Sequence, residues 1–397
     1  MTDEAIVRVA ARGDGMTESG RAVPFAAPGD RVTPTGQVIA GPHHQTPPCQ
    51  HYPRCGGCQL QHLDDASYAR YLVERIEGAL AAHGLRAEIR PPLLSPDHSR
   101  RRAALHAERR GRQIWIGFTE ARSHALVDID QCRVLAPDLF ALVQPLRGLL
   151  AAILPKARRA NLTLTRTDQG IEVLIDGVTA EGLAAAEGLT AFAERHSLAR
   201  LAIDSGYGPE TRWEPDPVTI TLGGVPVPFP PAAFLQATPE GEAALIAAVR
   251  EAIGPAATTA DLFAGLGTFA LSIPGKVYAA EAARDASLGL KAAAARAQRL
   301  VFVEHRDLYR RPLTADELGR FEAVVLDPPR AGARDQASMI ARSTAPRIAY
   351  VSCNPSTFAR DAKEMVEGGY ELDWVQPVGQ FRWSTHVELA ARLSRQG

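Results

Sequence analysis

Arg347-Ile348-Ala349-Tyr350-Val351-Ser352-Cys353-Asn354-Pro355 is the stretch on which the reading of this chain turns. Its first five residues form a short apolar run suited to a fully buried parallel strand, and Asn354-Pro355 breaks it. Cys353 is thereby set at the C-terminal edge of a strand, the edge where open α/β sheets bind their ligands. A thiol so placed becomes a nucleophile when positive charge or a helix dipole lowers its pKa. The competing reading is a small buried hydrophobe, as most free cysteines are.

Working outward, the same pattern repeats. Ala323-Val324-Val325-Leu326 is followed by Asp327-Pro328-Pro329-Arg330, Leu300-Val301-Phe302-Val303 leads to Asp307, and Val277-Tyr278-Ala279-Ala280 ends in Glu281, where a carboxylate can accept from ribose hydroxyls. Asp261-Leu262-Phe263-Ala264-Gly265-Leu266-Gly267 closes an earlier strand, its glycines permitting a tight turn and close approach of backbone to a ligand. A helix from Pro239 to Ile253 precedes it. Strand alternating with helix predicts a doubly wound α/β sheet over 231–397. Each acid singly would serve as a helix cap; several acids and a thiol on one rim predict a ligand site.

The rest of the chain differs. At 397 residues and 46% hydrophobic content it can bury more than one core, and its net charge of −1 excludes a global field for polyanions, so any nucleic-acid surface must be local. No signal peptide or membrane-spanning apolar stretch is read, and the cytoplasm is the expected compartment. Residues 1–40 read as a short β element and a Pro/Gly/Thr-rich linker, and 41–230 as a central α+β domain. Cys49, Cys55 and Cys58, with two glycines between the last pair, are joined by a distant Cys132. In a cytoplasmic chain such clustering points to zinc or an iron–sulfur cluster rather than a disulfide, and spacing does not choose between the metals. An amphipathic helix is predicted from Asp64 and Asp65 to His83, strands at 113–118, 161–166, 171–175 and 218–229, and helices near 136–154 and 179–196. Seven arginines fall between Arg90 and Arg112, a candidate phosphate-binding stretch.

With these residues in view, the chain resembles the RNA uracil-5 methyltransferase family, and in its cysteines the [4Fe-4S]-containing members that act on 23S ribosomal RNA. The motifs that carry the resemblance are Asp327-Pro328-Pro329-Arg330 with Gly332, Ser352 through Pro355 to Ala359-Arg360-Asp361, and Thr385-His386-Val387-Glu388, supported by residues 261–269 and Phe234-Leu235-Gln236. Residues 1–35 resemble a truncated TRAM domain, a nucleic-acid-binding β-barrel. Thr268 and Thr238 stand where asparagine is common in the family. The resemblance implies a class I, Rossmann-like methyltransferase domain, S-adenosylmethionine as cofactor, and RNA as partner. It implies a cofactor site lined by Gln236, Phe263, Gly265, Thr268, Glu281, Asp307 and Asp327. It further implies Cys353 as nucleophile, Glu388 as base, and a [4Fe-4S] cluster on Cys49, Cys55, Cys58 and Cys132. A monomer is expected.

That chemistry has a physical logic. Carbon 5 of uracil is too weak a nucleophile to take a methyl group, so a thiolate adding at carbon 6 turns the ring into an enolate that can. A positioned carboxylate then removes the proton from carbon 5, which allows the thiolate to leave. The same chemistry on a transfer-RNA uridine is the nearest alternative. A base-nitrogen methyltransferase has no need of Cys353, and a non-catalytic cluster-bearing RNA-binding protein has no need of Glu388.

Overall fold

The computed structural model describes residues 3–121, 123–155 and 158–395. They divide into two compact units: Met1–Tyr71 with Pro96–Val218 and Phe381–Thr385, and Leu72–Ser95 with Thr219–Gln380 and His386–Gly397. Leu72–Ser95, expected with the central segment, thus belongs to the second unit, which resumes at Thr219. No helix among the described residues is long and apolar enough to cross a membrane.

The first unit holds two sheets. A five-stranded antiparallel sheet spans Glu4–Val9 to Val38–Ile39 and closes over Ile6, Val23, Ala26 and Val32. The following segment, expected as a linker, is fixed in place: His44 Nδ1 lies 2.7 Å from Asp30 Oδ2, and the His44 backbone bridges to Leu63. A seven-stranded sheet has Arg102–Arg110 and Arg159–Thr167 near its middle. Alternation along these strands sends Ala103, Leu105, Ala107, Leu162 and Leu164 into one core with the helix Val143–Ile153. Leu198–Asp204 joins this sheet parallel to Gly170–Asp176, with the helix Leu183–Arg195 as crossover.

The arginine stretch is largely committed to the fold. Arg101 is buried, Arg109 donates to the Ala151 and Leu154 carbonyls, Arg110 pairs with Glu108 and stacks on Trp115, and Arg90 pairs with Glu251. Of the seven, Arg112 alone is exposed. The expectation of a phosphate-binding run is corrected accordingly: the positive charges mainly brace strands.

The second unit is a doubly wound sheet. Its strands are β1 (Thr258–Leu262), β2 (Lys276–Glu281), β3 (Val301–His305), β4 (Ala323–Leu326), β5 (Arg347–Ser352), β6 (Glu371–Gly379) and β7 (Glu388–Ser394). Their order is β3-β2-β1-β4-β5-β7-β6, with the short strand Glu88–Ile89 at the edge. β1 through β5 are mutually parallel, and β7 runs antiparallel to both neighbours, pairing Ser352 with Leu389. The strand order reverses between β1 and β4, so a crevice opens beyond their C-terminal ends. β4 is buried along its whole length. Helix Pro239–Ile253 is capped by the Thr238 hydroxyl, which accepts from Gly241 N–H, and packs Leu245, Val249 and Ile253 inward. The run 218–229, expected as strand, is a hairpin turning at Gly223-Gly224, both at positive φ.

Candidate active site

β1 to β5 end on one rim, and antiparallel β7 begins on it. After β1 the chain turns sharply: Phe263, Gly265 and Gly267 have φ of 64°, 55° and 94°. At Gly267 a Cβ would sit 2.4 Å from Leu290 Cδ1, so only glycine fits. Phe263 adopts the left-handed conformation without glycine's freedom, a strain of roughly 1–3 kcal/mol that clusters at ligand sites. Its ring packs on Tyr309, centroids 5.4 Å apart. Thr268 is half-buried on the same turn. Glu281 accepts from Gly265 N–H at 2.8 Å and Ala283 N–H at 2.6 Å, and Asp307 accepts from Tyr309 N–H at 3.0 Å. Both acids therefore shape their loops as well as line the rim.

Three carboxyls gather at the crevice. Burial pushes Asp261 up to about 7, with the Ala270 backbone amide offsetting part of the rise and Glu281 adding to it. Asp327 keeps some exposed surface as a residue, but the protein packed around its carboxyl, together with Glu388 and Asp261, raises it well above the usual range. Glu388 is 5% exposed and raised by burial to about 7. A desolvated pocket of carboxyls suits a cationic ligand such as a sulfonium.

Cys353 stands beside them. Burial pushes its thiol up to about 11, Glu388 and Asp327 adding to the rise and Arg330 opposing it. Asn354 caps the helix Pro355–Glu367, accepting from Ser356 N–H, so the thiol sits at the strand-to-helix turn. The loop after β4 is held from that helix. Asp361 accepts from Ala333 N–H and from Tyr350 Oη, each at 2.7 Å, and Arg360 donates to the Ala331 carbonyl. Two residues outside the expected set complete the site. Asp261 is one. The other is Gln380, which joins Gln236 to Glu388: its Nε2 donates to Gln236 Oε1 at 2.8 Å and to Glu388 Oε2 at 3.1 Å. The sequence marks Gln380 only by its place, just past an apolar run and shortly before Glu388.

In the first unit Cys49, Cys55, Cys58 and Cys132 line one cavity with Tyr52 and Phe118. All four thiols are free. The glycines between Cys55 and Cys58 let that loop lie against the strand Gln113–Thr119: Gly56 N–H donates to the Thr119 carbonyl at 2.9 Å, and a Cβ on Gly56 would lie 2.6 Å from the same oxygen. Burial pushes Cys55 up to about 11 and Cys58 to about 12, and the neighbouring thiols raise each other further. Among the described residues no three Cys, His, Asp or Glu side chains are placed to hold a metal ion. The four expected ligands share a cavity without forming a closed single-ion site.

Residues 301–396 match the family described as tRNA (uracil-5-)-methyltransferase. An uncharacterized RNA methyltransferase of Zymomonas mobilis subsp. mobilis is 50% identical over 393 residues, 98% of this chain and 99% of the relative. The 23S rRNA (uracil(1939)-C(5))-methyltransferase RlmD of Photorhabdus laumondii subsp. laumondii is 30% identical over 374 residues, 89% of this chain and 83% of the relative. Among solved structures, the Pyrococcus abyssi tRNA (uracil-54, C5)-methyltransferase in complex with S-adenosyl-L-homocysteine matches with a TM-score of 0.76 at 22% identity, covering 98% of this chain and 99% of that one. At that identity the likeness is one of fold.

Proposed function

This chain belongs to the RNA (uracil-5-)-methyltransferase family, and from that premise we propose that it methylates carbon 5 of a uridine in 23S ribosomal RNA, using S-adenosylmethionine and a covalent Cys353 adduct. The observation that carries the reading is the meeting of Cys353, Glu388 and Asp327 on one rim of the sheet. Bound S-adenosylmethionine supplies an electrophilic methyl group. Gln236, Phe263, Gly265, Thr268, Glu281, Asp307 and Asp327 form its site, and the carboxyls around the crevice favour its positive charge. The Cys353 thiolate adds to carbon 6 of the uracil, and carbon 5 takes the methyl. Glu388 then accepts the carbon-5 proton, the carbon–sulfur bond breaks, and Cys353 is released. Arg330 offsets part of the rise that burial and the two carboxyls impose on the thiol.

The ribosomal target is supported by the identity with RlmD and by the four cysteines. The assignment of the four thiols to a [4Fe-4S] cluster rests on the family resemblance of their pattern and on their sharing one cavity. The first unit, with the N-terminal sheet and the cysteine cavity, is assigned to RNA docking, and the enzyme to the cytoplasm as a monomer. The family description covering 301–396 favours a second reading, the same chemistry on a transfer-RNA uridine. Purified protein and methyl-labelled S-adenosylmethionine, incubated separately with unmodified ribosomal and unmodified transfer RNA, decide between them. Label is expected in the ribosomal RNA. Label only in transfer RNA would overturn the target and leave the chemistry standing.

A further inference from the structure

We propose that Gln380 is a positioning residue that aims the Glu388 carboxylate and the Gln236 carboxamide as one hydrogen-bonded unit. The inference rests on the reading of Glu388 as the base.

Direction comes first. An amide side chain can ordinarily be turned either way, its oxygen and nitrogen exchanged. Here the Ala237 backbone N–H, which can only donate, lies 3.0 Å from Gln380 Oε1 and fixes that atom as the oxygen. Nε2 must then carry both protons. One goes to Gln236 Oε1 and the other to Glu388 Oε2. A single backbone amide thereby sets the orientation of two glutamines and of the carboxylate.

Placement comes second. β6 and β7 are antiparallel with Val378 opposite Glu388. Gln380 leaves the end of β6 two residues on, on the same face and diagonal to Glu388. Gly241 in helix Pro239–Ile253 closes the far side: a Cβ there would lie 2.6 Å from Gln380 Cβ and 3.1 Å from its Oε1. Gln236 and Gln380 are each 2% exposed. A buried amide costs stability unless its bonds are made, and these two meet that condition by bonding within the site.

Chemistry comes third. Asp327 and Cys353 face Glu388, and both oppose its charge when ionised. Gln380 is the neighbour that favours the carboxylate, by donating to it. A base must be ionised when the carbon-5 proton is presented, and it must point at that proton. Gln380 contributes to both.

The test follows decay of the covalent RNA–protein adduct to methylated RNA in single turnovers across pH. Wild-type decay is expected to rise with pH to a plateau as Glu388 ionises. Gln380→Met removes the donor at similar volume and is expected to move that acid limb upward by about one pH unit, with a plateau near wild type at high pH. Gln380→Glu, near-isosteric and still able to accept from Ala237 N–H, places an oxygen against Glu388 and is expected to move the limb further. Glu388→Gln is the reference and should hold the adduct at every pH. Wild-type acid limbs in both Gln380 variants, with the adduct trapped in Glu388→Gln, would overturn the role given to Gln380. Normal decay in Glu388→Gln would instead overturn the base itself.

Discussion

Removing the Glu388 carboxyl from water raises its pKa from an ordinary 4.5 to about 7, so the folded chain prefers it protonated. The unfolded chain gives up this proton first as pH rises. Stability is therefore lost between pH 4.5 and 7, and the penalty persists above that range. Converted at 1.36 kcal/mol per unit, it approaches ~3 kcal/mol. Glu388→Gln should accordingly raise resistance to denaturant at pH 8 by up to that amount and change little at pH 4, while trapping a methylated RNA adduct. Equal stability of variant and wild type at both pH values would contradict the burial argument. Cys353→Ala should form no denaturant-resistant RNA complex in the same gel assay, and a retained complex would move the nucleophile elsewhere. Cys353 is readable in the sequence because it sits where a strand meets its loop, and Glu388 through the Thr385-His386-Val387-Glu388 motif that carries the family resemblance. Gln380 and Asp261 escape that reading. Gln380 becomes a neighbour of Glu388 only through the antiparallel β6–β7 pairing, and the raised pKa of Asp261 depends on burial that no local pattern shows.

Among the elements, β1 to β5 are legible because each is a short apolar run bounded by turn residues, as parallel strands buried on both faces must be. β7, Glu388 to Ser394, is rich in Ala, Leu and Arg, all good helix formers, and becomes a strand only by pairing on both sides with β5 and β6. Leu198–Asp204 escapes notice for the same reason. The arginine run misleads in the opposite sense, since sequence shows the charges but not the carbonyls and carboxylates that engage them. The loop after β4 offers a sharper test. Gly332 has φ of 76°, and a Cβ there would lie 2.7 Å from both Arg360 Nη2 and Asp361 Oδ2. Gly332→Ala should destabilise the protein by ~1–3 kcal/mol and also depress methyl transfer, because Asp361 ties this loop to β5 through Tyr350. Wild-type melting and activity in that variant would show that the loop tolerates displacement.

At the scale of the whole chain, the units are built from separated segments, and this is what composition and linker signals cannot reveal. Phe381–Thr385 belongs to the first unit: Tyr68 Oη donates to the Phe381 carbonyl at 3.0 Å, Leu60 N–H to the Trp383 carbonyl at 2.9 Å, and Arg382 pairs with Asp65 at 2.6 Å. The cysteines of the same unit meet in one cavity from two distant stretches, the 49–58 loop and the turn at Cys132. Clustered thiols, with Cys55, Cys58 and Cys132 raised by burial and by neighbouring thiols, are poorly served as a bare cavity. A bound cationic centre reverses the balance by favouring thiolates, and the binding energy becomes folding energy for the loops that supply them. Anaerobically purified protein should therefore be brown and contain iron and acid-labile sulfide in equal amounts. Removing the cluster by chelation under oxidation should make the 49–58 loop sensitive to protease. The doubly wound sheet of the second unit has its own buried core, so binding of S-adenosylmethionine, measured by calorimetry, should survive that treatment. Colourless protein carrying one zinc per chain would overturn the iron–sulfur assignment. Loss of cofactor binding together with the cluster would show instead that the second unit depends on the centre for its fold.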